Sequence, residues 1–126
     1  MPKPTDVYRR TQRDTVVARG ALATLFSSLV EAVERTRPLL AEGQRDDTNR
    51  RLLQCQKVVI GLRQGLNPEA GEITGRLAQL YDYVERCLGD ANITLDPARL
   101  DDALAVLRNL RDAYQGVAYG KEALIP

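Results

Sequence analysis

The sequence predicts an all-α fold, an antiparallel up-down four-helix bundle with an extended N-terminal arm. Three observations carry this. Leucine and alanine, with 18 and 14 occurrences, dominate the 126 residues, while tryptophan is absent and phenylalanine occurs once; this is helix-forming stock. Four stretches place apolar residues at steps of three and four, the spacing that gathers them on one helix face. The breaks between them are short, which makes successive helices antiparallel neighbours. A chain of this length fits a single domain.

Residues 1–13 are read as the arm. They show no periodicity, and Pro2 and Pro4 oppose an early helix. The arm holds one aliphatic, Val7, and one aromatic, Tyr8. The bundle follows over residues 14–120. Asp14 or Thr15 caps the first helix, whose stripe is Ala18, Leu22, Leu25, Phe26, Leu29, Val30 and Val33. Pro38 is expected to kink or end it, with Gly43 as the residue beyond its C-cap. Asp46 or Asp47 starts the second helix. Its stripe, Leu52, Cys55, Val59, Leu62 and Leu66, keeps an a/d rhythm for two heptads before Gly65 and Asn67 close it. Asn67-Pro68 is a cap-then-proline start for the third helix, although Gly71 leaves room for the helix to settle only at Glu72. The third stripe is Ile73, Leu77, Leu80, Tyr81, Val84 and Leu88; Tyr83 lies off it, toward a second neighbour or solvent. Asp96-Pro97 repeats the start signal, and Leu100, Ala103, Leu104, Leu107, Leu110, Tyr114 and Val117 form the fourth stripe. Gly116 and Gly120 loosen its end, and residues 121–126 are expected to be a mobile tail.

Several function classes are disfavoured by composition. No apolar run reaches the length of a membrane span, and the first residues lack the apolar core of a secretory signal, so no membrane insertion is expected. A net charge of +1 argues against a dedicated nucleic-acid binder. The charge is uneven: residues 1–13 carry +3 and the remainder −2. Histidine is absent altogether, which removes the usual general base, the Ser/His and Cys/His nucleophile pairs and most zinc sites. Two cysteines, Cys55 and Cys87, make no disulfide framework, and an intracellular compartment is the simpler reading. No phosphate-binding glycine loop and no C-x-x-C is present. The carboxylate pairs Asp46-Asp47 and Asp101-Asp102 fall at helix starts, where the helix dipole favours negative charge without any catalytic role. Neither an enzyme nor a bound cofactor or metal is expected.

The third helix carries a resemblance. Gly71-Glu72-Ile73, Leu77, Leu80-Tyr81-Asp82-Tyr83-Val84, Arg86, Leu88 and Ala91-Asn92 resemble the GGEI…L…LYDYM…RL..AN pattern of the flagellar export chaperone family FliS, with Ala70 for the first glycine and Val84 for the methionine. Leu107-Arg108-Asn109-Leu110-Arg111-Asp112-Ala113-Tyr114 is similar to that family's ending, with tyrosine for tryptophan. Tyr8-Arg9-Arg10-Thr11-Gln12 is similar to its Y-x-x-T-Q opening, and Gln56, Val59, Ile60 and Leu62 to its second-helix pattern. The first helix departs: Val17 to Val30 keeps the apolar spacing but lacks the family's Ser-Pro start and Tyr-Asp-Gly. The resemblance implies a cytoplasmic chaperone that binds the C-terminal segment of flagellin, prevents premature polymerisation and aids delivery to the flagellar export apparatus. It also implies that the Y-x-x-T-Q arm covers the client groove when the client is absent. The alternatives are a self-associating scaffolding bundle and a FliS-like paralogue with another client.

A disordered client must offset its ordering entropy, so it needs a long apolar track, which a groove for an amphipathic helix supplies. Several apolar residues fall off the main stripes: Leu53, Val58, Ile60, Tyr83 and Val106. Each is either ordinary core or groove lining. With the residues singled out by the resemblance, the groove and lid candidates are Tyr8, Thr11, Gln12, Leu22, Leu25, Phe26, Val58, Ile60, Leu80, Tyr81, Tyr83, Arg86, Asn92 and Val106. Tyr8 is expected to act as the displaceable lid.

Overall fold

The computed structural model describes the backbone of residues 4–118 and the side chains of residues 20–116. Four α-helices follow one another: α1 (Pro4–Ala41), α2 (Arg45–Gln64), α3 (Glu72–Thr94) and α4 (Pro97–Ala118), with a 3-10 turn over Pro68–Ala70. No strand occurs among the described residues. The order in space is cyclic, α1 against α2, α2 against α3, α3 against α4, and α4 back against α1. Cross-helix pairs give the directions. Arg63–Asp82 and Asn92–Asn49 tie opposite ends of α2 and α3, while Arg37–Asp101 and Gln115–Ser27 tie opposite ends of α1 and α4. Numbers rise on one helix as they fall on the next, so the bundle is antiparallel and up-down.

The core is the meeting of the four stripes. Phe26, Val30, Val33 and Leu40 from α1 join Leu52 and Val59 from α2. Val84, Leu88 and Ala91 from α3 join Leu100, Leu107 and Leu110 from α4. Both cysteines are buried and free. Leu80 is the exception on its stripe. It remains 37% exposed.

Local chemistry explains the ends. At the close of α1, Gly43 takes φ 75°, its N–H donates to the Leu40 carbonyl at 3.0 Å, and the Gln44 N–H donates to the Leu39 carbonyl at 2.9 Å. These paired bonds form a Schellman cap, which needs a left-handed residue and so favours glycine. Asn67 Oδ1 accepts from the Glu69 N–H at 3.0 Å, Gly71 turns the chain at φ 81°, and α3 begins only at Glu72. Asp96 Oδ1 accepts from the Ala98 N–H at 3.0 Å, with Pro97 as first helical residue.

Three expected boundaries differ. The backbone is helical from Pro4, in place of the extended run expected over residues 1–13, and Asp14 and Thr15 lie inside α1. Proline at a helix start lacks only an N–H that would be unpaired anyway, and no glycine or further proline intervenes before Gly20. Pro38 does not end α1, which continues to Ala41. Pro38 faces outward in the final turn, and the fully buried Leu40 beyond it anchors that turn at the cost of one backbone bond. α2 starts at Arg45, ahead of the aspartates expected to cap it; both then lie in its first turn, where the dipole favours them. Residues 121–126 and the side chain of Val117 lie outside the described residues.

Candidate functional site

The seam between α1 and α2 is open. Near the α1 C-terminal half a cavity of about 240 Å³ is lined by Leu25, Ser28, Leu29, Ala32 and Thr36 from α1 and by Arg51, Gln54, Cys55 and Val58 from α2. Toward the other end a cavity of about 480 Å³ is lined by Leu22, Leu25, Val58, Gly61, Leu62, Gly65 and Leu66, with Tyr81 and Tyr114 beneath. Leu25 and Val58 line both, so the two stretches form one groove along the α1/α2 face.

The residue types explain why the groove stays open. Its walls are studded with small side chains: Ser28 and Ala32 on one side, Gly61 and Gly65 on the other. A Cβ built on Gly61 would touch nothing, so that glycine leaves space that no neighbour fills. The floor is rigid. Phe26 stacks between Tyr81, with ring centroids 6.4 Å apart, and Tyr114, at 5.3 Å. Such aromatic pairs add to the stabilisation from burial alone. Burial, reinforced by a hydrogen bond to Tyr114, holds the Tyr81 phenol well above its ordinary value, and burial also raises the Cys55 thiol. Both groups stay neutral at physiological pH, as an apolar groove requires. Thr36 is fully buried, and its hydroxyl donates to the Ala32 carbonyl at 2.8 Å.

The candidates named from sequence fall into several places. Leu22, Leu25 and Val58 line the groove, and Tyr81 underlies it. Phe26 is fully buried one layer below. Ile60 is exposed on the opposite flank of α2. Leu80, Tyr83 and Val106 do not line the groove: Leu80 is exposed, while Tyr83 and Val106 pack against the core. A hydrogen bond with Cys87 raises the Tyr83 phenol. Asn92 donates to Asn49 at 2.8 Å and joins Arg45, Asp46 and Ile93 around a polar opening where α2 begins and α3 ends. Arg86 points outward from α3. Tyr8, Thr11 and Gln12 belong to the helical backbone of α1, and their side chains lie outside the described residues. Sequence reasoning missed Arg51, Gln54, Gly61 and Gly65. The signal for two of them was available: glycines four apart in a helix share one face and leave it without side chains.

Among the described residues no group of histidine, cysteine or carboxylate side chains is placed to hold a metal, and no helix is long and apolar enough to cross a membrane. A helical bundle with a long apolar groove along one seam defines a class, that of small all-α bundles with a recessed apolar face. Within that class the comparisons are specific. The family model described as "Flagellar protein FliS" matches residues 1–121. The chain is 28% identical over 115 residues to the flagellar secretion chaperone FliS of Vibrio cholerae, covering 87% of this chain and 85% of that one. It is 30% identical over 96 residues to the flagellar secretion chaperone FliS of Salmonella typhimurium, covering 75% of this chain and 71% of that one. The Escherichia coli FliS matches at 28% over 119 residues, 90% of this chain and 88% of its own. The chain belongs to the FliS family of flagellar secretion chaperones, a chaperone family and not an enzyme class.

Proposed function

We propose that this chain binds the C-terminal segment of flagellin in the cytoplasm, with an amphipathic helix of the client seated in the α1/α2 groove. In this reading it prevents premature polymerisation and hands the client to the flagellar export apparatus. The observation that carries the reading is the continuous apolar groove from Thr36 to Leu22, floored by stacked aromatic rings. Membership of a flagellar secretion chaperone family supports the choice of client. Each large aliphatic buried is worth roughly 1.5–3 kcal/mol, so four anchors contribute about 6–12 kcal/mol against an ordering cost of about 2–5 kcal/mol for a short segment.

The test is calorimetry of the full chain against the last ~40 residues of the host's flagellin, a length that covers a standard interface of 20–30 residues. Gly61→Trp places an indole in the groove where a Cβ meets nothing, so the bundle should fold and binding should be lost. Undiminished binding by that variant would move the client elsewhere on the surface. The lid role of Tyr8 is part of the same proposal and requires the first turns of α1 to leave their helical course and fold back over the groove: Tyr8→Ala should leave the bundle folded and raise the client on-rate in stopped-flow fluorescence, and an unchanged rate would remove the lid.

A further inference from the structure

We infer that Arg51 reads a carboxylate on the client helix and so fixes its register and direction in the groove; this rests on the docking proposed above. Arg51 is the one charged side chain among the described residues that line the two stretches. It lines the groove opposite Ser28, Ala32 and Thr36 of α1, beside the fully buried Leu52. Most guanidinium groups of the bundle are already engaged. Arg37 is bound to Asp101, Arg63 to Asp82, Arg99 to Asp90 and Asp102, and Arg108 lies against Glu34. The nearest acidic residue along α2, Asp47, is taken by Arg50 at 2.7 Å. No carboxylate among the described residues pairs with Arg51, and no lining residue of the groove supplies one.

An unpaired cation at one end of an apolar channel discriminates between occupants. A helix laid in the groove removes water from that end. A carboxylate placed there accepts a charge-assisted, two-pronged hydrogen bond. A basic side chain meets like charge, and an apolar one leaves the guanidinium desolvated without a partner. From Leu22 to Thr36 the α1 wall runs about 21 Å, enough for a helix of about four turns. The matching segment has an apolar stripe of that length with Asp or Glu at one end. A carboxylate in the first turn also complements its own helix dipole, so the client's N-terminal end lies at Arg51 and its helix runs parallel to α2.

Calorimetry of the full chain with the flagellin C-terminal segment tests this. Arg51→Gln should weaken binding about five- to tenfold near 50 mM salt, with a smaller but persisting difference near 500 mM, because salt screens only in part a contact that the docked helix partly covers. Arg51 is exposed, so neither Arg51→Gln nor Arg51→Glu disturbs packing. Arg51→Glu is then titrated with segments in which each carboxylate is replaced by lysine in turn. One member should restore affinity, and its position should fall in the first turn of an apolar stripe. The inference is overturned if Arg51→Gln binds with wild-type affinity and salt dependence, or if no lysine-bearing segment rescues Arg51→Glu. If in that case Gly61→Trp still blocks binding, docking in the groove survives without the arginine. If the Gly61 variant binds as tightly as the unmodified chain, the docking reading falls as well.

Discussion

At the scale of single residues, polar groups inside the bundle decide much of the behaviour. Thr48 is fully buried, and its hydroxyl has no hydrogen-bond partner. An unsatisfied hydroxyl in a dry interior costs free energy that an isosteric methyl does not. Thr48→Val should therefore stabilise the chain by about 1 kcal/mol, read as a higher urea midpoint with an unchanged slope. Tyr81 has the opposite character. Burial and the bond to Tyr114 raise its phenol from the ordinary 10.0, so the native state holds that proton more tightly than the unfolded chain does. Its contribution is complete below pH 10.0 and is lost as the pH climbs toward the native value. Unfolding compared at about pH 9 and about pH 11 should show a drop that Tyr81→Phe makes smaller. Stripe membership was legible for Phe26, Leu52, Val84 and Leu107 because helical spacing alone puts them on one face. Nothing in the spacing showed that Thr48 would be sealed without a partner, since that depends on which neighbours arrive from α1 and α3.

At the scale of elements, caps were readable and continuations were not. Asp96 accepts from the Ala98 N–H and starts α4 where Asp-Pro announced it. Asp96→Ala should cost about 1 kcal/mol, measurable by thermal unfolding, as for other helix caps. The residue before it, Leu95, closes α3 at φ 53°, an unusual conformation for a leucine, while its side chain packs on the core. A sequence reader expects glycine or asparagine at such a cap. Here packing of the leucine outweighs the backbone preference. The same competition governs Pro38: local rules stop the helix, and a buried Leu40 carries it on. Gly61 has neither burden nor contact, so Gly61→Ala should raise stability by about 0.5–1 kcal/mol, the usual gain from removing a mid-helix glycine. A melting experiment on that variant separates the helix effect from the steric block introduced by tryptophan.

At the scale of the whole molecule, the ring of helices is unequal: α1 lies more closely on α4 than on α2. The groove opens at the looser α1/α2 seam, and Leu80, Tyr83 and Val106 do not line it. A chain that hosts a client in this groove should sediment as one small species over a broad concentration range and shift only when the flagellin segment is added. Growth of the species with concentration alone would favour the self-associating scaffold. Helical periodicity, a leucine- and alanine-rich composition and proline-marked starts were enough to settle the all-α class, the four helices and their order, and the third-helix pattern indicated the family, because each is written in local spacing and residue type. Which apolar residues form a groove and which form the core was decided only by tertiary packing. A side chain on the edge of a stripe is buried or open according to how closely the next helix approaches, and that approach is set by small residues on both walls, such as Ala32 and Gly61, acting across sequence separations that no local pattern records.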